Sequence, residues 1–185
     1  TQTAWICEES IQWIDEHKEQ PWFCMMNLQD THPHFVCPEP YFSDVDMSQV
    51  KIGAFKDGDN DSKPHFYQRF IDGNYWTDDE DTKFWDGINI PAMSQDKDPA
   101  DKAVCVQAYI GMMNMLDEYL GKVFDYLDAT GQRDNTLIIF SSDHGEELGD
   151  HGLWGKGVSA TDGNQRIPGI MSWPAQQKCD NNNTG

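Results

Sequence analysis

Two polar clusters in the 185-residue sequence contain side chains that could bind a metal ion and an anion. The first is the run 30–34, Asp-Thr-His-Pro-His, which follows a short apolar run ending near Leu28. The second is the run 143–147, Asp-His-Gly-Glu-Glu, which follows a β-branched run ending at Ser141. An aspartate beside a histidine offers a hard oxygen donor and an imidazole, a combination suited to a divalent cation. Lys156, between two glycines, could approach an anion as a point charge.

Each of these features also has a purely structural interpretation. Asp143, His144 and Gly145 could form a helix cap and a turn, and the histidines of the first cluster could be exposed loop residues. Glu146 and Glu147 suit the first turn of a helix, where carboxylates interact favourably with the helix dipole, better than they suit a general acid and base pair. The chemical interpretation therefore depends on cooperation between the two clusters.

An α/β fold would position both clusters at strand ends. Apolar periodicity predicts an amphipathic helix over 4–17 and a longer one from 99 to about 130. Short apolar runs at 22–28, 136–141 and 167–173 predict strands. Strand, crossover helix and strand in this order indicate a parallel-type sheet sandwiched by helices. Ligands bind outside the carboxyl ends of such strands, which is where both clusters would lie.

Composition and charge limit the classes of protein. The sequence is 38% hydrophobic and 12% aromatic, which is enough apolar material for a folded core. The net charge of −19 repels nucleic-acid phosphates and anionic membranes. No apolar run approaches the ~18 residues of a bilayer span, and five cysteines without a C-x-x-C pair argue against structural zinc. We therefore expect neither a nucleic-acid partner nor a membrane span.

The run 142–157, SDHGEELGDHGLWGKG, closely resembles the second signature region of sulfatases, which belong to the alkaline phosphatase superfamily. The run 30–35 with Pro38 and Tyr41 is similar to the histidine loop of that family. The resemblance covers most of residues 4–175 and is weak between 42 and 100. It implies an α/β, alkaline phosphatase-like fold truncated at the N-terminus.

The resemblance also implies how the chain is organised. Residues 1–175 would be the C-terminal portion of a sulfatase-like catalytic domain, interrupted by an irregular insertion over 42–100. Residues 176–185 would be a polar tail.

By the same resemblance, Asp143 and His144 would ligate one divalent cation, with Ca²⁺ as the first expectation. Mg²⁺ and Mn²⁺ stay open as occupants because calcium prefers oxygen ligands to imidazole. Lys156 would bind an oxygen of the sulfate ester. His32 would lie beside the leaving-group oxygen and protonate it as the bond to sulfur breaks, with His34 as the alternative residue for that role.

One element of the family pattern is missing from the sequence. Sulfatases use a formylglycine made from the Cys or Ser of a C-x-P-S-R or S-x-P-S-R type motif, and neither motif occurs here. The aspartate pair of the family's N-terminal region is missing as well. We therefore expect these residues to be a fragment of a longer sulfuric ester hydrolase, with the formylglycine in the missing N-terminal part.

The purified 185-residue chain is accordingly expected to release no sulfate from an ester, because neither the nucleophile nor half of the cation's ligands is encoded. Sulfate release can be measured against a Lys156→Ala control. Turnover above that control would contradict the expectation.

The resemblance further implies a sulfated small-molecule or polysaccharide substrate, with sulfated carbohydrate favoured, and an extracytoplasmic location, whether periplasmic, secreted or lysosomal-type. Two other functions stay open. A phosphonate or phosphate ester hydrolase of the same superfamily would share the Asp-His-Gly-Glu run and the downstream Gly-Lys. A non-catalytic binding module could also have kept the fold.

Overall fold

The computed structural model describes residues 1–33, 35–64, 99–156 and 160–175. Its α-helices are α1 (Gln2–His17), α2 (Pro99–Ala129) and α3 (Asp162–Gln165), and its strands are β1 (Ile138–Ser141) and β2 (Gly169–Ser172). Short 3₁₀ helices lie at Met47–Gln49, Arg133–Asn135 and Asp150–Gly152. Two compact units are formed, the first by Thr1–Val45, Ala108–Ser141 and Pro168–Gly185, the second by Asp46–Gln107 and Ser142–Ile167.

Helix α1 confirms the helix predicted over 4–17. The Thr1 side chain caps it by accepting a hydrogen bond from the Ala4 N–H at 3.2 Å, which satisfies one of the free donors of the first turn. Cys7 and Ile14, seven residues apart, lie on the same face and are buried. The acidic residues of α1 are exposed to water. The helix therefore packs on the rest of the protein through its apolar face.

Helix α2 begins and ends at the residues that the sequence indicates. Pro99 suits the first helical position, where its missing N–H costs no hydrogen bond. Gly131 follows the helix with φ +70°, a conformation that glycine adopts without strain. The Gln132 N–H then donates to the Leu127 carbonyl at 2.9 Å, closing the C-terminus. The core of the first unit includes the following buried side chains of α2: Met112, Met115, Leu116, Val123 and Leu127.

The two strands form an antiparallel pair, with Ile139 opposite Met171 and Phe140 opposite Ile170. A parallel-type sheet is predicted from the run 22–28, the long helix and the run 136–141, and the antiparallel β1–β2 pair departs from that pattern. The connection from β1 to β2 contains the four-residue α3 instead of a long crossover helix, so the chain turns back and β2 runs against β1.

The strand predicted over 22–28 is not found among the described residues. Phe23 is 83% exposed and Met25 is 71% exposed, so this extended segment lacks the covering layer that a buried strand needs. Of the predicted insertion, residues 42–64 form turns and the 3₁₀ helix Met47–Gln49. Residues 65–98 and the predicted tail 176–185 lie outside the described residues. No helix in the described part of the chain is long and apolar enough to cross a membrane.

Candidate functional site

The first polar cluster belongs to the first unit. Asp30 accepts a hydrogen bond from the hydroxyl of Thr3, a fully buried residue of α1, so the helix holds the start of the cluster in place. The His32 N–H donates to the Gln29 carbonyl at 2.8 Å. The imidazole of His32 is exposed, with Nδ1 against the carbonyl oxygen of Pro33. The role expected of His32 as a proton donor stays a prediction.

His34, the alternative to His32, lies outside the described residues. The choice between the two histidines therefore stays as the sequence leaves it.

The second cluster belongs to the second unit and follows β1 as a loop. Ser142 Oγ donates to the His144 carbonyl at 2.7 Å, and the His144 N–H donates to Asp143 Oδ1 at 3.0 Å. These two bonds fold the backbone tightly after the strand. The Asp143 side chain is 85% exposed as a result, and its Oδ2 stays available to a ligand.

Glu146 and Glu147 do not begin a helix, so that structural interpretation is wrong. The Gly145 N–H donates to the Asn164 carbonyl at 2.8 Å, and the Glu147 N–H donates to the Gly155 carbonyl at 3.2 Å. The backbone groups of this run are therefore bonded to other parts of the unit instead of forming helical turns. Glu147 is only 4% exposed and accepts a hydrogen bond from the Thr161 hydroxyl.

Asp143 and His144 provide two donors suited to one cation. His144 Nδ1 lies 2.9 Å from the Gly145 carbonyl oxygen, an acceptor, so Nδ1 carries the proton and the lone pair of Nε2 is left for a ligand. Nε2 is 3.5 Å from Asp143 Oδ2, and a cation would satisfy both atoms. Within the described ranges, no group of three or more His, Cys, Asp or Glu side chains could hold a metal ion. The pair fits a divalent cation as part of a ligand set.

Lys156 is half-buried at the other end of the same run. Burial lowers the pKa of its amine, and the charges of Glu146 and Asp143 oppose that change. Burial alone would raise the pKa of Asp143, but electrostatic interactions with His144 and Lys156 and two backbone hydrogen bonds hold it below its usual value. The amine and the carboxylate therefore act on each other electrostatically. Asp143, His144 and Lys156 therefore lie in one compact unit, in which the charges of Lys156 and Asp143 affect each other's pKa.

Glu146 contacts the loop that carries Lys156. Its Oε1 accepts a hydrogen bond from the Gly155 N–H at 2.5 Å. Burial raises the pKa of Glu146, while backbone donors at 155, 148 and 147 and the nearby Lys156 amine lower it in part. The sequence predicts a helix end at Glu146, and no local signal indicates a bond to a residue nine positions later.

The segment 53–60 is hydrogen-bonded to the middle of the loop 147–155. The Gly53 N–H donates to the Leu148 carbonyl at 3.1 Å, and the His151 N–H donates to the Ala54 carbonyl at 2.8 Å. His151 has φ +52°, which is strained for a residue with a side chain. Its Nδ1 lies 3.0 Å from Asp59 Oδ2, and this contact helps to hold the conformation.

Comparison with known proteins gives the class first. The structure resembles that of the phosphonate monoester hydrolase SpPMH from Silicibacter pomeroyi, with a TM-score of 0.74 and 28% sequence identity over 94% of this chain and 33% of that one. The fold is therefore the alkaline phosphatase-like α/β fold of sulfatases and phosphonate monoester hydrolases, as the sequence predicts. The reversed direction of the one described strand pair does not change this class.

The family follows from the sequence. A profile of the Sulfatase family matches residues 2–184, and the chain belongs to that family. It is 30% identical over 183 residues to the multifunctional alkaline phosphatase superfamily protein PehA of Trinickia caryophylli, covering 95% of this chain and 33% of PehA. It is 28% identical over 171 residues to the choline-sulfatase of Rhizobium meliloti (strain 1021), covering 86% of this chain and 28% of that enzyme. The chain thus spans about a third of the length of these relatives.

Proposed function

We propose that this chain supplies the cation-binding and oxyanion-binding part of a sulfuric ester hydrolase. The observation that supports the proposal is the pair of potential ligands, with His144 Nε2 3.5 Å from Asp143 Oδ2, in the same compact unit as Lys156, whose charge lowers the pKa of that carboxyl. We call the polypeptide that joins these residues to a formylglycine segment the complete hydrolase. Both the segment and the activity belong to the proposal.

Asp143 and His144 would hold the divalent cation, which we expect to be Ca²⁺ with Mg²⁺ or Mn²⁺ as alternatives. When bound, the cation would neutralise charge on the ester oxygens and polarise them. Lys156 would bind an ester oxygen as a second positive charge, and its half-buried position strengthens that interaction because less water screens it. His32 or His34 would protonate the leaving-group oxygen.

The proposed substrate is a sulfate ester, and sulfated carbohydrate is the substrate class that we favour. A net charge of −19 repels such an anion at long range. Screening removes most of that repulsion beyond about 8–10 Å at physiological salt, so the local charge of Lys156 and of the cation would govern binding. An extracytoplasmic location is proposed on the resemblance to sulfatases alone.

Hydrolysis of phosphonate monoesters is a second candidate function. It is favoured by the structural similarity to SpPMH at a TM-score of 0.74 and by the 30% identity to PehA. A phosphonate monoester presents a tetrahedral anion of similar size, so the same cation and lysine could bind it. The relative catalytic efficiency of the complete hydrolase on the two ester classes separates these functions.

Cation binding can be tested on the chain itself with Mn²⁺, which broadens NMR signals of nearby amides even when it binds weakly. We expect Mn²⁺ to broaden the amide signals of 142–146 and of 155–156, because the cation and Lys156 would share one site. Asp143→Asn should weaken the effect about tenfold or more, since it removes the charged ligand. The readout is the Mn²⁺ concentration that halves each signal.

Asp162→Asn is the matched control, because Asp162 is 84% exposed and lies in the same unit. It should leave the broadening at 142–146 unchanged. Equal effects of the two substitutions would mean that Mn²⁺ binds only to the general acidic surface, and the proposed cation site would then be wrong.

A further inference from the structure

The position of Lys156 depends on its neighbour Gly155, whose backbone is held on both sides. The Gly155 N–H donates to Glu146 Oε1 at 2.5 Å, and its carbonyl accepts from the Glu147 N–H at 3.2 Å. Gly155 has φ +82° and no side chain with which to pack. Glycine loses more conformational freedom on ordering than any other residue, so Gly155 needs bonds to hold its backbone. These two hydrogen bonds hold it, and they thereby position Lys156, the residue that follows.

We propose that Glu146 is a positioning residue for Lys156, fixing the backbone at Gly155 so that the lysine that follows keeps its place in the loop. The inference rests on the proposed function, because it matters for catalysis only if Lys156 binds the ester oxyanion. Glu146 itself contacts neither the substrate nor the cation in this scheme.

The charge of Glu146 supports a positioning role. A carboxylate close to an oxyanion-binding lysine repels the substrate and offsets part of the lysine's charge, so by itself it hinders binding. Its hydrogen bond to a backbone N–H is charge-assisted, and such bonds are about twice as strong as neutral ones. The Glu147 N–H bonds to the Gly155 carbonyl at 3.2 Å, so two hydrogen bonds join residues 146 and 147 to Gly155. Glu146 thus holds the end of the loop from 147 to 155 through one half-buried acceptor.

The backbone bond can be tested by hydrogen exchange of the Gly155 amide, measured by NMR on the 185-residue chain. Glu146→Ala removes the acceptor, and exchange should become roughly 10- to 100-fold faster, the fold-change that corresponds to a hydrogen bond to a charged group. Glu146→Gln keeps an acceptor oxygen in the same place, and its effect should stay within about fivefold. Unchanged exchange in Glu146→Ala would overturn the inference.

The link to Lys156 is tested by a double-mutant cycle in the complete hydrolase. Glu146→Ala should raise KM for an aryl sulfate roughly tenfold or more, and Glu146→Gln should restore most of the loss. In a Lys156→Ala background, Glu146→Ala should have less than about a twofold further effect, because the residue it positions is gone. Asp162→Ala, an exposed carboxylate of the same unit, is the matched control and should change neither KM nor exchange.

The outcomes separate this inference from the proposed function. Equal losses from Glu146→Ala with and without Lys156 would mean that Glu146 supports only the general fold, which overturns the positioning role. No loss from Lys156→Ala would overturn the proposed function, and the importance of the Glu146 positioning role for catalysis with it. Glu146→Gln keeps the shape of the side chain, so a folding defect in Glu146→Ala does not prevent either conclusion.

Discussion

Replacing Lys156 with alanine in the complete hydrolase is expected to lower kcat/KM for an aryl sulfate ester by about 10²- to 10³-fold, the usual cost of removing one charge-stabilising group from an oxyanion site. The half-buried amine lies in the same compact unit as Asp143 and lowers the pKa of that carboxyl electrostatically, and under the proposed function it binds an ester oxygen. Negative charge on those oxygens is then left with the cation alone. Steady-state kinetics on purified enzyme with the cation in excess measures the effect.

Two further substitutions make the Lys156 result specific. Lys51→Ala removes an exposed lysine from the same unit and should leave kcat/KM within about twofold. Lys156→Arg keeps the charge but replaces the compact ammonium group with a larger, planar guanidinium, so it should recover only part of the activity. Equal activity of the Lys156→Ala and Lys51→Ala variants would show that Lys156 does not bind the ester.

The same assay distinguishes the two candidate functions. An aryl sulfate and an aryl phosphonate monoester both present an oxyanion to Lys156, so Lys156→Ala should impair hydrolysis of both. A higher kcat/KM for the sulfate in the unsubstituted enzyme is the outcome expected for a sulfuric ester hydrolase. A higher value for the phosphonate would establish the second candidate function instead.

Local signals predict helices α1 and α2 from the sequence. The apolar periodicity of α1 and α2, with Pro99 at the start and Gly131 after the end, concerns residues within a turn or two of each other. Such features depend on the chain's own geometry more than on its neighbours. The spacing of Asp143, His144 and Lys156 was readable for a similar reason, because one continuous loop carries all three.

Pairings between distant residues could not be predicted in this way. The direction of β2 relative to β1 depends on the path of the loop between them, and the apolar pattern of a strand is the same in either direction. The contact between His151 and Asp59 joins residues 92 positions apart. Glu146 was placed at a helix end because Asp and Glu favour that position in general. Its bond to Gly155 depends on a loop conformation that composition does not reveal.

Gly145→Ala is expected to destabilise the second unit by about 3 kcal/mol, at the upper end of the usual cost of overpacking. A Cβ at this position would lie 2.0 Å from the Gly163 carbonyl oxygen and 3.0 Å from its carbon. Both atoms belong to the backbone, so no side-chain rotation relieves the clash. The hydrogen bond from the Gly145 N–H to the Asn164 carbonyl, 2.8 Å long, would be strained or lost as the segments separate.

Urea unfolding followed by tryptophan fluorescence measures the loss, and Gly121→Ala provides the matched control. Gly121 lies inside α2 with nothing within 4 Å of its added Cβ, so alanine there should stabilise the helix by about 0.5–1 kcal/mol. The same chemical change should therefore have opposite signs at the two positions. At a typical urea slope near 2 kcal/mol/M, the Gly145→Ala midpoint should fall by roughly 1.5 M. A fall of less than about 0.3 M would show that the contact between Gly145 and Gly163 is not close enough to hold His144 and its neighbours in place.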